Sequence, residues 1–222
     1  MSFDFDDFDV RARFTDLDDK IEEVDALLAD MPSEREQYEE RCKIAYIYHD
    51  CALDGIVVTY HELRAAVDRN VMSDAALVPT YQEIRNHCDA LGVIQEHCRE
   101  ERLKANRARN PKVTEQLVMD LHVLLNKNLP RKKQGDLRKD MPLHRTYFHQ
   151  IHEPDMIPQG LKEVIALVGD ADFRAQHPIN QACLFHHKFM SVFPFSDNSG
   201  KIGRLIMNYF LMRSGYMPSV IH

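Results

Sequence analysis

The sequence predicts an all-α bundle of roughly eight helices, broken by one small β-hairpin near residues 137 to 152. Three observations carry that expectation. Apolar residues recur at spacings of three and four over most of the chain, the pattern of amphipathic helices. Capping residues stand just before several of those runs, where they satisfy backbone N–H groups that a helix start leaves open. The stretch from Gly135 to Pro158 loses the helical period and holds Pro142, Pro154 and Pro158.

Taken in order, residues 1 to 9 alternate Phe3, Phe5 and Phe8 with Asp4, Asp6, Asp7 and Asp9, the composition of a flexible arm. Phe14, Leu17, Ile21, Val24 and Leu28 then form a helical stripe that ends at Met31-Pro32-Ser33. Ser33 with Glu36 has the spacing of a capping box and opens a helix to about Ala52, expected to carry Tyr38, Cys42, Ala45 and Tyr46 inward. Gly55 is its stop. Thr59 with Glu62 caps a helix within Val57–Arg69, and Ile84, Cys88, Leu91, Ile94 and Cys98 line a long one from Tyr81 to Arg109. Its basic end, Arg99 to Arg109, reads as a solvated helix and turn. Thr114 caps a helix through Leu125 with Leu117, Leu121 and Leu124 inward, and Leu161 to Val168 is a shorter one. Pro178, a favoured first-turn residue, starts a helix to Val192, and another spans 200–213.

Composition excludes several classes. A chain of 222 residues with net charge −7 can bury a sizeable core and is a poor general nucleic-acid binder. It has no apolar run of membrane-spanning length and no signal peptide at the Asp-rich N-terminus. The five cysteines are Cys42, Cys51, Cys88, Cys98 and Cys183. Their odd number and lack of CxxC spacing indicate reduced thiols in a cytoplasmic protein. His87-Cys88 and His97-Cys98 lie about 15 Å apart on one helix, too far to share an ion. His144, His149 and His152 do not share one strand face, and are surface or hairpin residues.

The chemistry concentrates in Phe193-Pro194-Phe195-Ser196-Asp197-Asn198-Ser199-Gly200-Lys201-Ile202-Gly203-Arg204. A tight loop feeds a helix N-terminus, whose N–H groups and dipole favour anions. Lys201 and Arg204, three residues apart, project from one face. Asp197 could hold a divalent metal that bridges phosphate oxygens. The same Asp, Asn and Ser also serve as an ordinary helix cap, and both readings stay open on chemistry alone.

The order of these residues resembles the signature of the Fic (Fic/Doc, or Fido) family, His-Pro-Phe-x-Asp/Glu-Gly-Asn-Gly-Arg-x-x-Arg. Pro194, Phe195, Asp197, Gly200 and Arg204 match. Phe193 stands at the catalytic His position, Asn198 replaces the first Gly, Ser199 the Asn and Lys201 the first Arg. The flanking helices, from Leu184 to Val192 and from Leu205 to Leu211, are also similar, and the resemblance spans most of residues 40 to 222. It implies a Fido-type helical bundle in which the hairpin is a flap that aligns a target segment. It further implies three regions: an acidic arm and helix over 1–32, a helical region over 33–110 with a degenerate inhibitory motif, and the Fic core over 111–222. That inhibitory motif is Ser/Thr-x-x-x-Glu-Gly/Asn in the family, where the Glu pairs with the last signature Arg. Asp50 stands at the Ser/Thr position, Asp54 at the Glu position, and Gly55 follows. The resemblance implies an Asp54–Arg204 pair, longer or water-bridged because Asp is one methylene shorter. His122 lies where the family often has a His; a packed core histidine is the expected role.

In the family the signature His takes the proton of a protein hydroxyl that attacks the α-phosphate of ATP. Phe193 has no titratable group, and loss of such a base removes about 10²–10⁴ in rate. Ser199 is shorter than Asn, Asn198 carries a side chain where Gly allowed close approach, and Lys201 lacks the bidentate fork of Arg. His186 and His187 lie roughly 9–10 Å back along the helix and do not substitute. Two function classes follow. One is a pseudo-AMP-transferase that keeps a phosphate or nucleotide pocket formed by Asn198, Ser199, Gly200, Lys201 and Arg204, or acts as an interaction scaffold. The other is a Fic-type transferase that works on a protein hydroxyl without the usual base. The implied ligands are ATP or ADP with Mg²⁺, and the implied partners a protein target and a second copy of the chain, with no nucleic acid or membrane.

Overall fold

The computed structural model describes residues 8–68, 78–103, 111–130, 132–142 and 150–220. Among these residues it is all-helical. The helices are α1 (Phe8–Leu28), α2 (Pro32–Leu53), α3 (Tyr60–Val67), α4 (Val78–Leu103), α5 (Glu115–Leu125), α6 (Ile157–Leu167), α7 (Ala171–Ala175), α8 (Pro178–Val192) and α9 (Ser199–Arg213). No helix among the described residues is long and apolar enough to cross a membrane.

Helix α9 is the hub. It is buried on every side from Lys201 to Met212, as expected of a helix apolar around its circumference. Helix α8 packs on it through Phe185 and Phe189, and α4 packs on it as well, with Cys98 Sγ 3.6 Å from Tyr209 O. One hydrophobic cluster runs from Ile44 on α2 to Met212 on α9. Polar pins fix the register. Glu101 accepts from Tyr209 Oη and Arg213 Nε, both at 2.8 Å, and Asn208 bonds the backbone of Ser219 in both directions.

The local signals set the helix starts. Thr59 and Glu62 form a reciprocal capping box on α3, Thr114 accepts from Leu117 N at 3.1 Å, and Pro178 opens α8. At α2 the expectation is corrected: Pro32 provides the first residue and Ser33 makes no cap, because a missing N–H costs nothing at that position. The inward stripe of α2 is also shifted. Ile44, Tyr46, Ile47, Asp50 and Cys51 are buried, whereas Tyr38 and Ala45 are exposed. The N-terminal half of α2 projects beyond the core, so its pattern is not read by packing. Helix α1 is held at two places: Phe14 stacks on His177 at 4.2 Å and Asp18 meets His177 Nε2 at 3.3 Å and the Tyr216 hydroxyl, and Arg35 of α2 donates to Asp25 Oδ1 at 2.9 Å. Its Leu17 and Val24 remain exposed.

The β-hairpin is not seen; among the described residues there is no strand. Residues 143–149, with His144 and His149, lie outside the described residues, as do the arm through residue 7 and the end of the basic run beyond Leu103. The backbone on both described flanks of the hairpin segment bonds to the end of α8 and the residues just after it. Arg138 N donates to Pro194 O and His152 N to Ser191 O, both at 2.9 Å.

Candidate functional site

The site lies where the C-termini of α2 and α8 meet the N-terminus of α9. Phe193 ends α8 in the left-handed region at φ 47°, ψ 65°, which costs a non-glycine residue about 1–2 kcal/mol. Arg138 holds it there. Its guanidinium, 3% exposed, donates to Phe193 O at 2.7 Å and also to His152 O. A cation is well placed on helix C-terminal carbonyls. The Phe193 ring is buried but is not part of the continuous core.

The loop 194–198 then reverses the chain. Asn198 takes φ 62°, a conformation that Asn tolerates better than most residues. This explains why a Gly position accepts Asn. Its amide donates to Asn126 Oδ1 at 2.8 Å, and Asn126 in turn contacts His122 Nε2 at 2.9 Å and Lys133 O at 2.9 Å. His122 accepts from Gly135 N at 3.0 Å and stacks on Phe195 at 3.9 Å. It is a packed, bonded histidine, and burial pushes its pKa down to about 4. Ser199 closes the turn. Its hydroxyl donates to Phe195 O at 2.9 Å and accepts from Phe195 N at 2.8 Å, with the residue 1% exposed. That hydroxyl faces the loop interior.

The cations are paired. Lys201 Nζ meets Asp54 Oδ2 at 2.9 Å, and Arg204 Nη2 meets Asp54 Oδ1 at 3.0 Å. Asp54 is placed by the end of α2. Gly55 N bonds Ala52 O and Ile56 N bonds Cys51 O, the pair of bonds of a Schellman turn, with Gly55 at φ 81°. The contact is direct, so the shorter Asp needs no bridging water. Deeper in, Asp50 binds the other edge of the same guanidinium: Oδ1 accepts from Nε, and Oδ2 lies 3.3 Å from Nη2. Asp50 is fully buried, with His87 Nε2 3.3 Å from Oδ2. Gly200 makes room for the arrangement, since a Cβ there would come within 2.9 Å of Arg204 Nη1.

Two cations and two carboxylates thus cancel within the site. Burial acts on all four. At Asp54 it is outweighed by Lys201 and then Arg204, and the carboxyl lies below its ordinary value. At Lys201 burial is outweighed by Asp54, and the ammonium is held charged. Burial pushes Asp50 up, with Arg204 acting against it. Burial, Lys201 and Arg204 all drive His87 well below its ordinary value, so it is neutral.

Asp197 is exposed on the loop. Among the described residues no three His, Cys, Asp or Glu side chains converge on a metal position. One carboxylate does not hold Mg²⁺ by itself, so the residues present do not fit a resident metal. Sequence reasoning missed the parts played by Asp50, Asn126 and Arg138. Asp50 had a signal: it lies one turn before Asp54 on the same helix face. Arg138 and Asn126 sit in or beside irregular segments and gave none.

Residues 112–211 match the family model described as Fic/DOC family. A protein adenylyltransferase Fic of Drosophila mojavensis is 23% identical over 216 residues, covering 94% of this chain and 39% of the relative. That of Drosophila erecta is 24% identical, with 94% and 40% covered. The chain therefore spans about 40% of the length of these curated relatives. Among solved structures, a Fic domain containing signaling protein from Bacteroides thetaiotaomicron superposes with a TM-score of 0.77 at 20% identity, covering 92% of this chain and 75% of that one. Fic-1 of C. elegans gives 0.71 at 20% identity, with 95% and 58% covered. At that identity these structures speak to the fold alone. The family model matches the residues that carry the loop, α8, most of α9 and the two cations, Lys201 and Arg204, so residues 112–211 are similar to the Fic/DOC family, while Asp50 and Asp54 lie outside the match.

Proposed function

We propose that this chain is a Fic-type pseudoenzyme: it retains a pocket for a phosphate-bearing ligand, ATP or ADP, and does not transfer AMP. One observation carries the reading. The residue at the base position, Phe193, is a buried apolar side chain, and the two cations that would receive phosphate are instead neutralised by Asp54 and Asp50. No proton acceptor stands where the family chemistry needs one. Phosphate binding must compete with an internal carboxylate. Mg²⁺ would enter with the nucleotide, held by phosphate oxygens and at most Asp197.

Two measurements test this. Incubation with labelled ATP and a cell lysate is expected to label neither the protein nor a target. Robust labelling by the unmodified chain overturns the reading in favour of a Fic-type transferase with a different base. Calorimetric titration with ATP and Mg²⁺ is expected to show weak binding that tightens in Asp54→Ala by about 1–3 kcal/mol, the scale of a charge-assisted hydrogen bond. Equal affinities, or a weaker variant, leave the chain as a protein-interaction scaffold.

A further inference from the structure

The two acids that face Arg204 differ in almost every physical respect. Asp50 is fully buried, grips the Nε–Nη2 edge with both oxygens and is backed by His87 Nε2 at 3.3 Å. Asp54 sits on the terminal turn of α2 with its side chain 29% exposed, and it divides its oxygens between Arg204 Nη2 and Lys201 Nζ. An incoming anion can reach and displace a carboxylate at the rim. It cannot reach one sealed beneath the guanidinium. Displacing Asp54 uncovers Lys201 Nζ and one hydrogen-bonding position on Arg204 Nη2. It leaves Nε committed to Asp50 and Nη1 resting against Gly200 in the first turn of α9.

We propose that Asp50 is the positioning residue of the pocket: with Asp54 already read as the acid that gates Lys201 and Arg204, Asp50 holds Arg204 with one edge toward the ligand. The inference rests on the pocket reading above and goes beyond it by giving the two acids opposite effects. Removing the gate exposes a preset pair of cations. Removing the holder frees the guanidinium to turn and collapse onto Asp54, so the pair is no longer preset. Preorganised donors bind an anion better than mobile ones because less ordering is needed on binding. Asp50 thereby acts on the ligand's side even though it carries the ligand's own sign of charge. His87 fits the same role: its neutral ring walls the carboxylate without competing for the anion.

The test uses inorganic pyrophosphate as probe, titrated calorimetrically into the wild-type chain, Asp54→Ala, Asp50→Asn and the double variant. Asp54→Ala is expected to bind about tenfold tighter than wild type or better, as for a gain of ~1.4 kcal/mol. Asp50→Asn binds no tighter than wild type, and the double variant loses the gain. Equal gains in both single variants overturn the proposal, since Asp50 is then a second competitor. So does a double variant that keeps the tight binding. If Asp50→Asn does not fold, Arg204→Lys in the Asp54→Ala background replaces it: a lysine keeps the charge but cannot serve Asp50 and the anion from two edges. Loss of the tenfold gain supports the proposal, and retention overturns it. A second readout needs no ligand. The Arg204 Nε–H, followed by NMR, is expected to exchange slowly with solvent in wild type and Asp54→Ala, and fast exchange in Asp54→Ala overturns the assignment of Asp50 as the holder. Absence of pyrophosphate binding in every variant fails the pocket reading itself, and the Nε–H exchange still decides which acid holds Arg204.

Discussion

At the scale of single residues, the decisive feature is how many groups each substitution in the signature leaves committed elsewhere. On the proposed reading Phe193 leaves no base, and its neighbours are committed elsewhere as well. The Ser199 hydroxyl closes a turn on Phe195, Lys201 is paired to Asp54, and Arg204 to Asp50 and Asp54. Restoring the base alone should therefore not restore the reaction. His at 193 is tolerable to the backbone, because the left-handed region at φ 47° is populated more by His than by Phe. Phe193→His is expected to fold and to give at most trace AMP transfer in a labelled-ATP assay, and adding Asp54→Ala should raise that trace. Transfer by Phe193→His alone at a level the added Asp54→Ala cannot improve would show that the internal pairs do not limit phosphate placement.

At the scale of elements, the site is an arrangement of helix ends. The C-terminus of α2 delivers Asp54, the C-terminus of α8 delivers Phe193, and the N-terminus of α9 delivers Lys201 and Arg204. Each end is fixed by its own closing device: the Schellman turn at Gly55, the Arg138 guanidinium on α8, and the Asn198–Asn126 bond before α9. Gly55 offers a clean test because nothing lies within 4 Å of a Cβ there. The cost of Gly55→Ala is conformational only, about 1 kcal/mol for a left-handed Ala. For a chain of this size that lowers the melting temperature by roughly 2–4 °C. Thermal unfolding that shows no loss would mean that the end of α2 readily takes another conformation and does not fix Asp54.

At the scale of the whole molecule, two buried histidines, His122 beside the loop and His87 behind Asp50, make stability depend on pH. His122 has a folded pKa pushed down to about 4 from an ordinary 6.5, and His87 is driven lower than its ordinary value as well. Between those limits the unfolded chain binds more protons than the folded one, so stability rises with pH. It is complete above the unfolded value and is lost as pH falls from about 6.5 toward 4. Melting temperatures measured across that window should fall on acidification, and His122→Asn should flatten part of the slope. A flat profile in the wild-type chain would mean that these rings are accessible to protons in the folded state.

The sequence by itself determined whatever depends on neighbours within about four positions, because helix hydrogen bonds and caps span that distance. The capping box at Thr59, the cap at Thr114, the start at Pro178, the turn at Gly55 and the helical period of α4 and α9 are of this kind. The order of residues from Phe193 to Arg204 also carried the resemblance to the Fic family and the proposal that a base is missing. Asp54 was paired with Arg204 from the resemblance rather than from any local rule. Tertiary structure alone decided the rest. Asp50 and Arg204 stand 154 residues apart, and their contact exists only because the fold brings the C-terminal end of α2 to the N-terminal end of α9. Burial of Asp50 rather than its exposure depends on α4 bringing His87 behind it. The described flanks of the hairpin segment bond the backbone at the end of α8, and Tyr38 is exposed because the first half of α2 carries no buried residue. Periodicity reports which face of a helix is apolar, but the neighbour that covers the face is supplied by residues distant in the chain.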